Sequence, residues 1–270
     1  MSAAETAPAR QRIRPARALA RVLAMPGFVA VLWAGQLAFA HALAYAPRWS
    51  ASATMGQHRW FDTEHFLRGV AELGITNPGV IAMVALAVAS SSLAALAFSV
   101  VVAPAILTRL SGEARAGALA HASARFVLPS AVHGAYALLA RALCLGLAAL
   151  PVSLLGPAGL IVALPLAALP TLALDRARAA VVLEHARPYH PRSFLRGFVE
   201  VVRRPLWWAT GTLLIGAQLF VGLAAALLVA RPELGAGALW IARGVGLLAL
   251  IAGLWRVSLA VELAQPRAPD

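Results

Sequence analysis

Apolar residues in this chain come in long blocks rather than in alternation or in narrow helical stripes. Six blocks stand out, at about 26–46, 79–107, 130–155, 157–174, 206–230 and 237–263. A helix of roughly 20 apolar residues crosses a hydrocarbon core of about 30 Å. Blocks three and four form one apolar stretch, too long for a single crossing. Gly156-Pro157, with Gly159 just behind, places a turn in its middle. The pattern predicts an all-α fold, a polytopic transmembrane helix bundle of six spans with short amphipathic interfacial helices. Residues 1–25 read as a basic, unstructured cytoplasmic segment, 26–263 as the transmembrane domain and 264–270 as a cytoplasmic tail.

Composition supports lipid as the solvent. Of 270 residues, 61% are hydrophobic and 13% charged, about half the charge of an ordinary soluble domain. All 23 basic residues are arginine, which reads as the codon bias of a GC-rich genome. Their distribution sets orientation, because cytoplasmic loops collect basic residues. Six spans put 17 arginines on one side, counting Arg256 toward the inner end of span six, and 4 on the other, with Arg141 and Arg243 deeper inside spans. Both termini are therefore expected in the cytoplasm, with the chain in the bacterial inner membrane. The net charge of +12 is then a matter of topology, and no nucleic-acid partner is expected. The start has the elements of a signal peptide, but its apolar run exceeds the usual 7–15 residues or so, so it is read as the first span.

Charges within the spans are the informative exceptions, since a buried charge costs about 2.5–3.5 kcal/mol on insertion scales. At about 100° per residue, Ser130, Gly134, Ala137, Arg141, Cys144 and Ala148 share one face. Ala242, Gly246, Ala249, Gly253, Arg256 and Ala260 share another. Small residues let helices approach closely, so Arg141 and Arg256 are expected to point into the bundle. Asp175 is the nearest counter-charge for Arg141, as a structural ion pair or as part of a site for an anionic substrate or lipid headgroup. Glu262 lies opposite the stripe and is not paired with Arg256. Arg243, off the stripe, is expected to snorkel outward. Pro151, Pro165 and Pro170 predict kinks, whose freed carbonyls can bind ions or substrate. Ser90, Ser91 and Ser92 read as packing contacts.

The outer segment from Pro47 to Pro78 holds His58, Asp62 and His65, which share a face if helical. Two imidazoles and a carboxylate could hold a divalent ion. An amphipathic helix at the headgroups, with Trp60, Phe61 and Phe66, is the competing reading.

The inner segments are basic. Thr108–Pro129 reads as a loop. Asp175–Glu184 reads as a cytoplasmic continuation of span four. Ser193 can then cap a short helix over Phe194–Arg204, with Phe194, Leu195, Phe198 and Val202 on one side. Arg192, Arg196, Arg203 and Arg204 are candidate contacts to anionic lipid headgroups at the cytoplasmic face. A protein partner is the alternative. Trp207 and Trp208 are expected at the inner interface of span five. Here the chain resembles a group of uncharacterised bacterial six-span membrane proteins. An acidic residue and a basic, alanine-rich stretch end one span in that group, as in Asp175-Arg176-Ala177-Arg178-Ala179-Ala180. A basic aromatic helix and an Arg-Pro step lead into the next, as in Phe194–Phe198 and Arg204-Pro205. There is a looser similarity to the membrane domain attached to some glycerophosphodiester phosphodiesterases. The soluble catalytic domain found there has no room here, so the resemblance implies topology and no activity.

No catalytic constellation is present: no Gly-x-Ser-x-Gly, no His-Glu-x-x-His, no phosphate loop. The single cysteine, Cys144, admits no internal disulfide. His41 and His133 lack acidic neighbours. No cofactor is expected. The sequence therefore points to a non-enzymatic scaffold or accessory factor, with a small transporter using spans three and four as the alternative.

Overall fold

A computed structural model of the protein describes residues 14–39, 79, 97–229 and 235–265. All regular structure among them is helical. The order is α1 (Pro15–Leu23), α2 (Pro26–Phe39), α3 (Ala97–Leu110), α4 (Ala116–Leu155), a single 3-10 turn (Gly156–Gly159), α5 (Leu160–Leu183), α6 (Pro191–Val202), α7 (Pro205–Val229) and α8 (Gly235–Ala264). By length and apolar composition, Ala116–Leu183 and Trp240–Ala264 can cross a membrane, and α1 with α2 can form a third crossing across a 77° bend. That is two or three stretches among the described residues, fewer than the six predicted from hydropathy. Most of the predicted second span and the whole outer segment with His58, Asp62 and His65 lie outside the described residues.

The long apolar stretch reverses direction where the turn residues stand. Arg178 on α5 reaches the Ser130 carbonyl, and Arg141 on α4 reaches Thr171, so α4 and α5 run antiparallel. Gly156 sits at φ 58°, a left-handed conformation open to glycine. A side chain at Gly159 would collide with the Pro151 carbonyl. The predicted face of α4 is the one that packs: Ser130, Gly134, Ala137, Cys144 and Ala148 are buried, while Leu139, Leu143 and Leu147 are exposed.

The inner half of α5 is the central post of the fold. Every residue from Leu172 to Val182 is buried, including Asp175, Arg176 and Arg178. A helix buried all round needs neighbours on every side, and α4, α6, α7 and α8 supply them. The expected helical continuation past Leu174 is present, and it is buried among these helices rather than exposed to solvent.

Four other expectations are corrected. The basic start is not unstructured throughout: α1 buries Ala18 and Val22, and Trp255 Nε1 donates to the Pro15 carbonyl at 2.9 Å. The inner loop 108–129 is mostly helix, because α4 begins at Ala116 and runs through Pro129. The inner short helix begins at Pro191, with His190 as its cap: His190 Nδ1 accepts from the Arg192 N–H at 3.1 Å, whereas Ser193 Oγ donates to the Arg187 carbonyl. Proline suits the first helical position because its missing donor would be unused there. Trp207 is fully buried rather than interfacial, and Trp208 Nε1 donates to the Pro165 carbonyl at 3.1 Å.

Candidate functional site

α5 brings charge to the bundle interior on successive turns. Thr171, Asp175 and Arg178 follow i, i+4, i+7 spacing, so they share a face. Asp175 Oδ2 accepts from Arg256 Nε of α8 at 2.7 Å. The same guanidinium donates through Nη1 to Gln218 Oε1 of α7 at 3.1 Å. Gln218 Nε2 in turn donates to the Ala249 carbonyl of α8 at 2.9 Å. Gly253 makes room for this bridge, since a Cβ there would stand 2.7 Å from Gln218 Nε2.

The other two arginines of the cluster are held less tightly. Arg141 donates to Thr171 Oγ1 at 3.0 Å. Arg178 reaches the Ser130 carbonyl through Nη2 at 3.4 Å, lying over Gly134, and its Nε has no hydrogen-bond partner among the described residues. Both lie within electrostatic reach of Asp175 and Arg256. Arg178 also borders a pocket of about 10 Å³ with Ser130 and His133, whose Oγ and Nε2 likewise lack partners. The His133 Nδ1 lies 2.8 Å from the Pro129 carbonyl, which can only accept, so Nδ1 carries a proton and donates it.

Asp175 and Arg256 meet, and Arg141 lies within electrostatic reach of both without contacting either. The pairing differs: the carboxylate is bound by Arg256, and Arg141 takes a hydroxyl. Arg178 and Gln218 were not singled out by the sequence. Arg178 was counted with the basic inner loop, and its i+3 spacing from Asp175 was the available signal. Glu262 does stay away from Arg256, accepting instead from the Arg14 backbone at 3.3 Å. Arg243 stacks over the Trp240 ring at 4.9 Å.

A cavity of about 490 Å³ adjoins the cluster. α2, α3 and α8 give it mostly apolar walls that also carry Gln36 and Ser99, and Asp175, Arg178, Gln218 and Arg256 form a charged group in its lining. Pro165, Pro170 and Arg141 are not among its lining residues. α5 is continuous through both prolines, so no broken-helix site forms there.

A second charged group lies on the opposite side of α5. Arg176 donates to Glu200 Oε2 of α6 at 2.6 Å and pairs with Glu184 at 2.7 Å, while Arg196 pairs with Glu200 at 3.0 Å. Gly197 brings α6 against α5 at the Ala173 carbonyl. Phe194, Gly197 and Val201 are buried on this docked face, and Leu195, Val199 and Val202 are exposed on the other. Arg192, Arg196 and Arg203 are exposed beside them, whereas Arg204 is partly buried.

No family model, no curated protein and no solved structure matches this chain.

Proposed function

We propose that this chain is a non-enzymatic, six-span protein of the bacterial inner membrane, with both termini cytoplasmic, that engages anionic lipid through α6. The observation that carries the lipid contact is the two-sided character of α6. Its glycine face is fixed to α5, while Leu195, Val199 and Val202, spaced i, i+4, i+7, stand about half exposed between exposed arginines. Apolar side chains flanked by guanidiniums suit the headgroup boundary, where each basic residue is worth about 1 kcal/mol toward an anionic surface. The α4–α5 reversal and the 17-to-4 arginine asymmetry support the topology.

The test is lipid enrichment. The full chain, reconstituted with mixed phosphatidylglycerol and phosphatidylethanolamine, should retain the anionic lipid preferentially in native mass spectrometry. Replacing Arg192, Arg196 and Arg203 together by Gln should abolish the preference without loss of fold. Equal retention of both lipids would refute the reading. A reporter at the C-terminus that reads outside the cytoplasm would refute the topology.

The cavity favours a second reading, a small transporter. Such a path would run along α2, α3 and α8 rather than at the prolines of spans three and four.

A further inference from the structure

The cavity beside α8 combines two properties that seldom occur together. Its long walls are mostly apolar, contributed by residues such as Leu32, Phe98, Val102 and Leu250, with Gln36 and Ser99 among them. Its lining residues on α8 run from Gly246 to Val257, a length of about 16 Å at 1.5 Å per residue. A volume of 490 Å³ falls within the range of about 300–1,000 Å³ typical of small-molecule sites.

The polar end carries an uncompensated charge. Two guanidiniums that line it, those of Arg178 and Arg256, share one carboxylate, Asp175, among the described residues, and Arg141, outside the lining, adds a third cation within electrostatic reach. Arg256 holds that carboxylate directly. Arg178, nine-tenths buried, has one hydrogen bond at 3.4 Å. Buried cations in such excess call for an anion. Nor do the small residues of α8 close the space: a Cβ at Gly246 would meet nothing within 4 Å.

We propose that this cavity binds a single-chain lipid with an anionic headgroup, the head against Arg178 and Arg256 and the chain along α2, α3 and α8. This site is distinct from the α6 surface and rests only on the membrane location of the chain.

Native mass spectrometry of the full chain with palmitate and with hexadecanol tests it. The two probes share a chain and differ in charge. A charge-assisted hydrogen bond predicts a preference for palmitate of about tenfold or more. Arg178→Gln should reduce palmitate to the level of hexadecanol. Gly246→Phe, which fills open space, should remove both, while Gly246→Ala keeps both. Replacement of Arg192 and Arg196 by Gln should leave palmitate bound, so failure at the α6 surface and failure here are separable. Equal affinity of the unaltered protein for the two probes, no binding of either, or unchanged binding in Gly246→Phe would each overturn the proposal. So would loss of palmitate in the α6 variant.

Discussion

Asp175 on α5 and Arg256 on α8 stand 81 residues apart in sequence and meet at 2.7 Å inside the bundle. The contact joins α5 to α8 at the charged group in the cavity lining. It also leaves the cluster with more positive than negative charge, and that imbalance makes the two partners unequal.

Removing the carboxylate should therefore cost more than removing the guanidinium. Asp175→Leu leaves three neighbouring arginines, Arg178 buried and Arg141 and Arg256 partly buried, without a carboxylate, and a loss of about 3–5 kcal/mol is expected. Arg256→Leu leaves Asp175 to Arg141 and Arg178 and should cost clearly less. Thermal unfolding of both variants in detergent micelles measures the difference. Equal losses would contradict the account of the cluster.

Gly197 sets how closely α6 approaches α5. A Cβ there would lie 2.7 Å from the Ala173 carbonyl oxygen, a backbone atom that cannot step aside. Alanine gains about 1 kcal/mol of helix propensity, but forced overpacking costs about 1–3 kcal/mol, and valine adds further bulk. Gly197→Val should undock α6 and accelerate tryptic cleavage at Arg192 and Arg196, followed by peptide mapping.

His185 follows the C-terminal end of α5 at φ 54°. A left-handed conformation costs a residue with a Cβ about 1–2 kcal/mol, against about 0.5–1 kcal/mol of extra chain entropy for glycine. His185→Gly should thus stabilise the protein by up to about 1 kcal/mol, seen as a raised melting temperature. A lowered one would show that the imidazole makes an offsetting contact.

Glu113 stands just ahead of α4, where its Oε1 accepts the N–H groups of Ala114 at 2.9 Å and Arg115 at 2.8 Å. These bonds, the one from Arg115 foremost, hold its carboxyl below the ordinary value of 4.5. A group depressed in the folded state stabilises above its unfolded pKa, and that contribution is lost as pH falls through the folded value. Amide protection at the start of α4, measured relative to intrinsic exchange at each pH, should fall below pH 4.5 in the natural protein. Glu113→Gln should flatten that dependence.

Much of the helical layout was legible in the sequence. The apolar blocks and the Gly156-Pro157 break foretold the α4–α5 hairpin, because a stretch too long for one crossing must turn where glycine and proline permit it. The small-residue face of α4 was legible for the same kind of reason: side-chain direction along a helix repeats every 3.6 residues or so. Periodicity places a residue on a face, however, and does not say which helix lies opposite.

That choice was made by the tertiary structure. Arg141 and Arg256 both face inward, yet only the packing of α8 on α5 assigns Asp175 to Arg256 and leaves Arg141 with Thr171. The basic stretch from Arg176 to Arg187 looks solvent-facing in sequence, but α4, α6, α7 and α8 close around α5 and bury Arg176 and Arg178. Trp207 carries the same lesson. An aromatic at a span end reads as interfacial, and it is core here because α7 sets it inside the bundle. The sequence by itself determined that the chain is helical and suited to lipid, since local length, period and hydropathy suffice for that. Which charges meet, and that a cavity adjoins them, depends on contacts between residues distant in sequence, and only the fold decides those.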